Sequence, residues 1–398
     1  MSRRRVCVVG SGTSYLSGIS YYTYFLSRAL AADSDVSVIL MRKLVPKALY
    51  PGGARVGGAF TKVSTAEFAP TFDGVDWTLL PSLPRAVGFL RRRRPQVLLL
   101  QWWSVSSLPA YLRFVGAARR IGAGVIVELH EDVDTAEARL PLVGRLATRW
   151  LRLILDRCDA YVVHSDWDRQ RFHDRYQLDD ARIHVIPHGP FDLVDVPAAT
   201  PDSAPAAEGT ITILFFGTIR PYKGLEDLVD AFDGLPRDAG ATWRLVVVGE
   251  TWEGWTLPFE KIAASPHRSD IEVVNRYVSD EEASTFFAAA DLVALPYLRS
   301  SASGPLHLTM TAGLPVVVTR VGGLESAAGA YSGAVFVNPA EPDDLRRGIL
   351  EASRLTGRRY EDPYSWDTIA ERYEAVFAGL ALQPRTRRRG IAEVRGDR

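Results

Sequence analysis

The chain has 398 residues, which is enough for two domains because a single hydrophobic core stops growing at about 250–300 residues. Hydrophobic residues make up 47% and charged residues 24%, as in ordinary globular proteins, and a net charge of zero argues against a nucleic-acid partner. Two cysteines exclude a disulfide framework and fit a reducing compartment.

The sequence predicts neither export nor membrane insertion. The first apolar run, at residues 6–9, is too short for the core of a signal peptide, and no apolar run reaches the roughly 18–20 residues of a membrane span. We therefore expect a cytoplasmic protein. Cysteine and histidine spacings typical of metal sites are absent, so no metal is predicted.

Short apolar runs alternate with helical patterns over the first half of the chain. An amphipathic helix is predicted over 19–30, with its apolar residues on one face. Strands are predicted at 6–9, 36–40, 97–100, 125–129, 161–163 and 184–186. Such alternation predicts an α/β domain in which helices cover both faces of a parallel sheet.

The second half repeats this organisation after a change in composition. Residues 194–209 are rich in Pro, Ala, Asp, Ser and Thr without periodicity, which predicts a linker between domains 1–193 and 210–365. A last helix is predicted over 365–382, and the arginine-rich tail over 384–398 is expected to be disordered. Strands are predicted at 211–216, 243–248, 271–274, 292–295, 316–319 and 334–337.

Two cations follow the strand predicted at 211–216. Arg220 and Lys223 lie on a short loop between that strand and the next helical pattern. Ligands in open α/β sheets lie beyond the carboxyl ends of the strands, and two fixed cations there suit a diphosphate better than a single carboxylate. The alternative is a solvated loop whose cations contact no ligand.

A second anion site is predicted where a helix begins near residue 304. Ser303 or Gly304 caps this helix and Pro305 lies in its first turn. Unpaired N–H groups and the helix dipole favour negative charge at such an end, so it is expected to share phosphates with the two loop cations. An ordinary capped core helix is the alternative.

Two further segments lie at predicted strand ends. Residues 10–18 begin like a dinucleotide fingerprint, but Tyr15 stands at the third glycine, so we interpret them as a flexible loop over the cleft or a structural turn. His130 follows the strand at 125–129, where it is either a functional or an ordinary surface histidine. The spacings of a catalytic triad or of paired carboxylates are not found.

In this order the segments resemble the family-4 glycosyltransferases, which have the GT-B fold and retain the anomeric configuration of the sugar. The resemblance implies two Rossmann-like, doubly wound domains that face a central cleft. The first is the acceptor side, and the helix over 366–382 returns to it. The match is carried by residues 18–20, 162–165, 185–189, 216–224, 247–250, 277–282, 312–323 and 365–366.

The resemblance implies transfer of a sugar from a nucleoside-diphosphate sugar of UDP or GDP type, without a cofactor. Lys223 matches the family's phosphate lysine, and His130 matches a cleft histidine that contacts the donor sugar. The family's arginine normally follows the glycine directly, where this chain has Thr218, so Arg220 is expected to replace it.

Further donor contacts are implied by matching positions. Glycines within 10–18 approach the diphosphate from the first domain, and the backbone at 276–278 faces the base. The donor-binding residues expected are Gly18, Gly217, Arg276, Tyr277, Val278, Ser303, Gly304, Pro305, Leu306 and Glu325.

The chain departs from the family pattern in two places. Many members have two glutamates eight residues apart, where this chain has Ser300 and Leu308. In those members the second glutamate normally binds the nucleotide ribose. In this chain that contact is therefore lost or supplied by another residue. Glu325 is one place earlier than the usual glutamate, and Ser326 occupies that position. A small-residue loop with Ser-Gly-x-Leu resembles an active subgroup.

These features predict same-face displacement, in which the leaving phosphate accepts the proton of the acceptor and the cations stabilise its developing charge. The product would belong to polysaccharide, glycolipid or secondary-metabolite biosynthesis, with a sugar, a lipid-linked compound or a small molecule as acceptor. Three alternatives stay open: an inactive homologue that binds nucleotide sugar or scaffolds a partner enzyme, a sugar-nucleotide epimerase, and, least favoured by the missing glycine, a dehydrogenase.

Peripheral contact with the inner face of a membrane is a separate hypothesis. The basic run at 90–94 and the apolar stretch at 150–155 could dock on anionic lipid and reach a lipid-linked acceptor. The alternative is a solvated basic helix face and a buried helix.

Overall fold

The computed structural model describes residues 3–43, 46, 57–58, 60–130, 149–192, 209–237, 242–252, 254–300 and 302–382. The predicted linker over 194–209 lies outside the described residues except for its last residue, and the tail over 384–398 lies wholly outside them.

Seven parallel strands form the first sheet, in the order β3-β2-β1-β4-β5-β6-β7. The six strands predicted from apolar runs are all present. The central ones are buried along their whole length because helices cover both faces. The strands are β1 (Arg5–Ser11), β2 (Asp35–Lys43), β3 (Thr71–Asp76), β4 (Val97–Trp102), β5 (Gly124–Leu129), β6 (Ala160–Val163) and β7 (Ile183–Val185).

Strand β3 is the one element of this sheet that the sequence pattern did not predict. It lies at the edge of the sheet and pairs with β2 through a shifted register. Asp73 and Gly74 interrupt its apolar residues, and only Val75 is fully buried. An edge strand has one partner, so it does not need the continuous apolar run of a central strand.

Helices α1 (Gly18–Leu30), α2 (Ser82–Arg93), α3 (Leu108–Ile121) and α4 (Asp166–Tyr176) accompany this sheet. Helix α1 confirms the helix predicted over 19–30. Its capping box joins the N–H of Ser17 to Ser20 Oγ at 3.2 Å, which fixes where the helix begins. The amino-terminal end of α1 therefore lies at the carboxyl end of β1.

Six parallel strands form the second sheet, in the order β10-β9-β8-β11-β12-β13. The strands are β8 (Thr210–Phe216), β9 (Thr242–Val248), β10 (Ile271–Val274), β11 (Leu292–Leu295), β12 (Val316–Thr319) and β13 (Ala334–Val337). The helices are α5 (Leu225–Asp233), α6 (Leu257–Ala264), α7 (Asp280–Ala288), α8 (Gly304–Thr311), α9 (Leu324–Ala328), α10 (Pro342–Ala352) and α11 (Trp366–Leu382). Two parallel sheets with flanking helices confirm the predicted α/β fold.

Helix α11 returns from the second half of the chain to the first sheet. Its residues Ile369, Tyr373 and Phe377 are buried in one core with the apolar residues of β1 and β4. Trp366 begins the helix and donates from Nε1 to the carbonyl of Pro190 at 2.9 Å. Its ring covers Gly189, where a Cβ would lie 2.6 Å from the ring, so only glycine fits there.

Within the described ranges, no helix is both long and apolar enough to cross a bilayer. Helix α2 places the arginines at 91–93 in its last turn, and Trp150 and Leu153 are exposed on the helical residues 149–155. Peripheral membrane contact stays a prediction.

Tyr373 tests how α11 is attached. Its hydroxyl donates to Glu128 Oε1, and Glu128 is fully buried at the centre of the first domain. We expect Tyr373→Phe to lower the free energy of unfolding by about 1–3 kcal/mol, because a buried carboxylate oxygen loses its donor. Urea unfolding measures this. Tyr24→Phe is the control, since the half-buried Tyr24 makes no hydroxyl hydrogen bond with another described residue; an equal loss in both variants would contradict the interpretation.

Candidate active site

A cavity of about 280 Å³ lies between the two sheets, at the carboxyl ends of β8 and β9 and the amino-terminal ends of α1, α7 and α8. This donor cavity is walled by residues of both halves of the chain. It is where the resemblance predicts the nucleotide. The predicted donor-site residues that line it are Gly18, Gly217, Lys223, Arg276, Tyr277, Val278, Gly304 and Pro305.

Two glycines bring the ends of β8 and β9 together. Gly217 has φ of 122° and Gly249 has φ of 151°, a region that other residues rarely adopt. A Cβ on Gly249 would lie 1.9 Å from the carbonyl oxygen of Gly217, and a Cβ on Gly217 would lie 3.1 Å from Pro305 Cγ. The absence of side chains lets the first turn of α8 approach the strand ends and leaves backbone exposed to the cavity.

Lys223 places a positive charge in the same wall. The residue is buried, and its Nζ lies 3.6 Å from the centroid of the Tyr297 ring, a close cation–π contact. Ser303 Oγ donates to the hydroxyl of that tyrosine at 3.2 Å and accepts from the N–H of Leu306 at 3.3 Å. The lysine and the capped end of α8 are therefore held beside each other.

Ser303 and Leu306 support the site rather than line it. Ser303 is the N-cap predicted from the sequence, and its side chain is directed toward Tyr297 and the helix backbone. Leu306 is fully buried in the core of the second sheet. Neither residue lines the donor cavity, so their predicted part in donor binding stays a prediction.

Arg220 lies on the predicted loop but does not line the donor cavity. Its guanidinium lies over two rings, 5.0 Å from the centroid of Tyr222 and 5.3 Å from that of Trp252. Thr218, at the position of the family's arginine, lines the cavity instead. Contact with these aromatic faces holds the guanidinium beside the loop, and its predicted role at the anion site stays a prediction.

Glu325 is also placed away from the donor cavity. It lies in the first turn of α9 and forms an exposed ion pair with Arg320, which follows β12. The prediction that it binds the donor is not supported by this position, because its carboxylate already has a cationic partner outside the cavity.

Several lining residues were missed by sequence reasoning. Glu250 follows Gly249, and its carboxylate accepts from Trp252 Nε1 at 2.6 Å; both residues line the donor cavity. The position of Glu250 directly after a strand-ending glycine was the available signal. Leu308 lines the cavity where the resemblance places the ribose glutamate, and the carboxylates among the described lining residues are Glu250 and Asp280.

Contacts between the two halves close one edge of the donor cavity. The hydroxyl of Tyr21 on α1 donates to Asp280 Oδ1 on α7 at 2.5 Å. The N–H of Asp280 donates to the carbonyl of Phe60 at 3.2 Å, and Lys62 pairs with Glu281 at 2.7 Å. Burial raises the pKa of Asp280, although the hydrogen bond from Tyr21 opposes this.

His130 does not reach the donor cavity. It lies at the end of β5, as predicted, but it is only 4% exposed and belongs to a row of four buried imidazoles. In this row the ring of His130 lies 4.6 Å from that of His164, and the ring of His188 lies 4.4 Å from that of His307 on α8. The row crosses from the first half of the chain to the second. His130 is not among the residues that line the donor cavity, and its predicted contact with the donor sugar stays a prediction.

Hydrogen bonds assign the protons in this row. His164 Nδ1 lies 3.0 Å from the carbonyl of Ile186 and must donate to it, so a neutral His164 accepts at Nε2 from His130 Nδ1 at 3.1 Å. Burial lowers the pKa of His164 to about 4, which keeps it neutral at pH 7. His130 Nε2 then faces Glu128 Oε2 at 3.6 Å, and one proton is needed between them.

Glu128 is the charged partner of this row. Burial raises its pKa, but the charge and hydrogen bond of His130 outweigh burial and hold it at about 2. Glu128, His130 and His164 also have ligand atoms within 4.8 Å of one another, a composition that could suit a metal. Because His130 Nδ1 and His164 Nε2 already face each other at 3.1 Å, a proton joins these two rings.

Two facing Rossmann-like sheets with a cavity between them define the GT-B architecture. The family model described as Glycosyltransferase Family 4 matches residues 16–190, and the one described as Glycosyl transferases group 1 matches residues 210–354. Together they cover most of the chain. The protein belongs to the family-4 glycosyltransferases, which confirms the resemblance.

The curated relatives are only about a quarter identical to this chain in sequence. A mannosylfructose-phosphate synthase from Agrobacterium fabrum is 25% identical over an alignment of 278 residues. That alignment covers 64% of this chain but only 60% of the synthase. A D-inositol 3-phosphate glycosyltransferase from Jonesia denitrificans is 25% identical over 412 residues, 92% of each chain. The catalytic domain of starch synthase IV from Arabidopsis thaliana, bound to ADP and acarbose, has a TM-score of 0.68 at 12% identity. It covers 96% of this chain and 100% of its own, and it shows the shared fold.

The histidine row predicts acid sensitivity. Burial lowers the pKa of His307 to about 3 and holds that of His188 well below its usual range. Below about pH 6.5 the unfolded chain binds protons at these rings while the folded protein does not, so stability falls as the pH falls, by about 1.4 kcal/mol per pH unit for each ring.

His307→Phe tests this prediction because it keeps an aromatic ring against His188 and removes one titrating group. We expect the mean slope of unfolding free energy against pH, measured in urea between pH 7 and pH 5, to become shallower by about 1 kcal/mol per pH unit. His267→Phe, at a half-buried histidine outside the row, is the control. An unchanged slope in His307→Phe would show that this ring is not held neutral.

Proposed function

We propose that this protein transfers a sugar from a nucleoside-diphosphate sugar to an acceptor hydroxyl, with retention of the anomeric configuration. One observation carries the proposal: Lys223 and the amino-terminal end of α8 converge on one cavity between the two domains. A fixed cation and a helix amino terminus together favour a doubly charged phosphate group. The family membership and the ADP-bound starch synthase with the same fold support this assignment.

The donor cavity has the parts that a nucleotide needs. The diphosphate would lie between Lys223 and Gly304, beside the exposed backbone of Gly217. The base would lie toward the backbone at 276–278. The Arg276 side chain is paired with Glu282 at 2.6 Å, so we assign the contact with the base to the backbone rather than to its guanidinium. Glu250 is placed to accept hydrogen bonds from the ribose in the absence of a carboxylate at Leu308.

The chemistry assigned to this site is a same-face displacement. The bond between the anomeric carbon and the phosphate oxygen breaks, and its electron pair stays on the departing diphosphate. The acceptor oxygen forms its bond to the same face of that carbon, and its proton passes to the leaving phosphate oxygen. Lys223 and the end of α8 stabilise the charge that develops on the diphosphate.

A second candidate, an inactive homologue that binds nucleotide sugar, is favoured by one observation. Leu308 is apolar where the resemblance implies the ribose contact, and it lines the cavity. Turnover separates the two. Incubation with a panel of UDP-, GDP- and ADP-sugars should release nucleoside diphosphate from at least one donor. Nucleotide binding without any release, with or without acceptors, would favour the inactive homologue.

Retention is tested on the product. With the donor identified by that panel, the anomeric proton of the first product formed should show by NMR the same α or β configuration as the donor. An inverted product would exclude same-face displacement but not glycosyl transfer. We place the product in polysaccharide, glycolipid or secondary-metabolite biosynthesis, with contact to the inner membrane surface if the acceptor is lipid-linked.

Lys223→Ala tests the anion site. We expect kcat to fall by about 100-fold or more, near 3 kcal/mol, because one buried charge that stabilises the leaving group is lost. Lys261→Ala is the matched control, since Lys261 lies in the same domain and pairs with Asp230 outside the cavity. Equal turnover in the Lys223 variant and the wild type would remove the observation on which the proposed function depends.

A further inference from the structure

A second cavity, of about 120 Å³, lies in the first domain beside the donor cavity. We name it the hydroxyl cavity because seven of its lining side chains carry a hydroxyl group. At the roughly 30 Å³ that a water occupies in the liquid, the cavity has room for about four waters. The hydroxyl residues are Ser11, Thr13, Ser20, Tyr24, Ser64, Thr65 and Thr71.

The hydroxyl cavity and the donor cavity share a wall. That wall is the turn Thr13–Tyr15 together with the first turn of α1. Ser17 and Gly18 face the donor cavity, whereas Thr13 and Ser20 line the hydroxyl cavity. A ligand in the second cavity would therefore lie within one helical turn of a donor in the first.

Asp73 gives the hydroxyl cavity its charge. It lies on edge strand β3, and its Oδ1 would be 3.5 Å from a Cβ built on Gly12, so the carboxylate lies against the strand end of β1. It makes no hydrogen bond with another described residue. A carboxylate can accept hydrogen bonds from two neighbouring hydroxyl groups, which is the recognition that a polyhydroxy ring requires.

Among the described residues, the cations near this cavity are paired with other carboxylates, although the charge of Arg42 also acts on Asp73. Among the described lining residues there is no lysine or arginine. Arg42 holds Asp76 through two hydrogen bonds, of 2.6 and 3.1 Å, and Lys62 pairs with Glu281 across the domains. From the described residues that line this cavity, a phosphate would meet a carboxylate and hydroxyl groups but no lysine or arginine, which is unfavourable.

We propose that the hydroxyl cavity binds the acceptor, and that this acceptor is an uncharged polyhydroxy compound, a sugar or a cyclitol, held by Asp73. This inference rests on the proposed function and deepens it. It also separates this chain from the relatives named for sugar-phosphate and inositol-phosphate chemistry. Asp73 then determines specificity by accepting acceptor hydroxyls and repelling phosphate.

The test measures binding, so it does not depend on turnover. The full-length protein, saturated with UDP, GDP or ADP, is titrated calorimetrically with glucose, mannose and myo-inositol and with their phosphate esters. We expect at least one neutral compound to bind at least tenfold more tightly than its phosphate ester. Asp73→Ala should weaken the binding of that neutral compound at least tenfold. Asp73→Asn should reduce the ratio between the affinity for the neutral compound and the affinity for its phosphate ester.

Glu67→Ala is the matched control, because Glu67 ends the helical turn Thr65–Glu67, whose Thr65 lines the hydroxyl cavity, but does not line the cavity itself. It should leave binding unchanged. A thermal unfolding midpoint within a few degrees of wild type shows that the exposed edge position tolerates Asp73→Ala. Tighter binding of phosphate esters, or neutral binding that Asp73→Ala leaves intact, would overturn the inference.

Failure of this inference and failure of the proposed function give different results. If the protein releases nucleoside diphosphate from a donor but none of the neutral compounds binds, the acceptor assignment is wrong and transfer stands. If neutral compounds bind in an Asp73-dependent manner but no donor is consumed, the cavity assignment stands and the proposed transfer is wrong.

Discussion

The candidate site depends on the close approach of two strand ends. A Cβ at residue 249 would lie only 1.9 Å from the carbonyl oxygen of Gly217, so no side chain fits there. This contact requires a glycine at residue 249, and the glycine at residue 217 separately lets Pro305 in the first turn of α8 approach the end of β8. The two glycines therefore bring the helix end and both strand ends to the cavity that Lys223 also lines.

The helix that forms this anion site is also joined to the other domain. His307 on α8 stacks on His188, and the buried row continues to His130 and the Glu128 carboxylate. Tyr373 of α11 donates to the same carboxylate. The C-terminal helix, the first sheet and helix α8 of the second domain therefore share one buried polar network, in which burial favours the neutral forms of His164, His188 and His307.

Sequence patterns predicted the elements better than they predicted the directions of side chains. Central strands and capped helices follow from local apolar runs and cap residues, and these were found within one or two residues. Edge strand β3 was missed because it needs few apolar residues. Arg220, His130 and Glu325 were placed on the correct elements, but partners distant in sequence or outside the cleft orient them: Trp252, His164 and Arg320. The periodicity of apolar residues predicts helices and strands, but it does not predict which side chains contact each other in the folded chain.

The two cavities have opposite chemistry on either side of one short wall. In the donor cavity, Lys223 and a helix amino terminus favour negative charge, while in the hydroxyl cavity Asp73 disfavours it. In the proposed reaction, the donor with its diphosphate would therefore occupy the first cavity and the neutral acceptor the second. Because the wall is the single turn Thr13–Tyr15 and the start of α1, its capping box at Ser17 also sets the distance between the two ligands. The position of the amino-terminal end of α1 thus sets the separation between the two proposed binding sites.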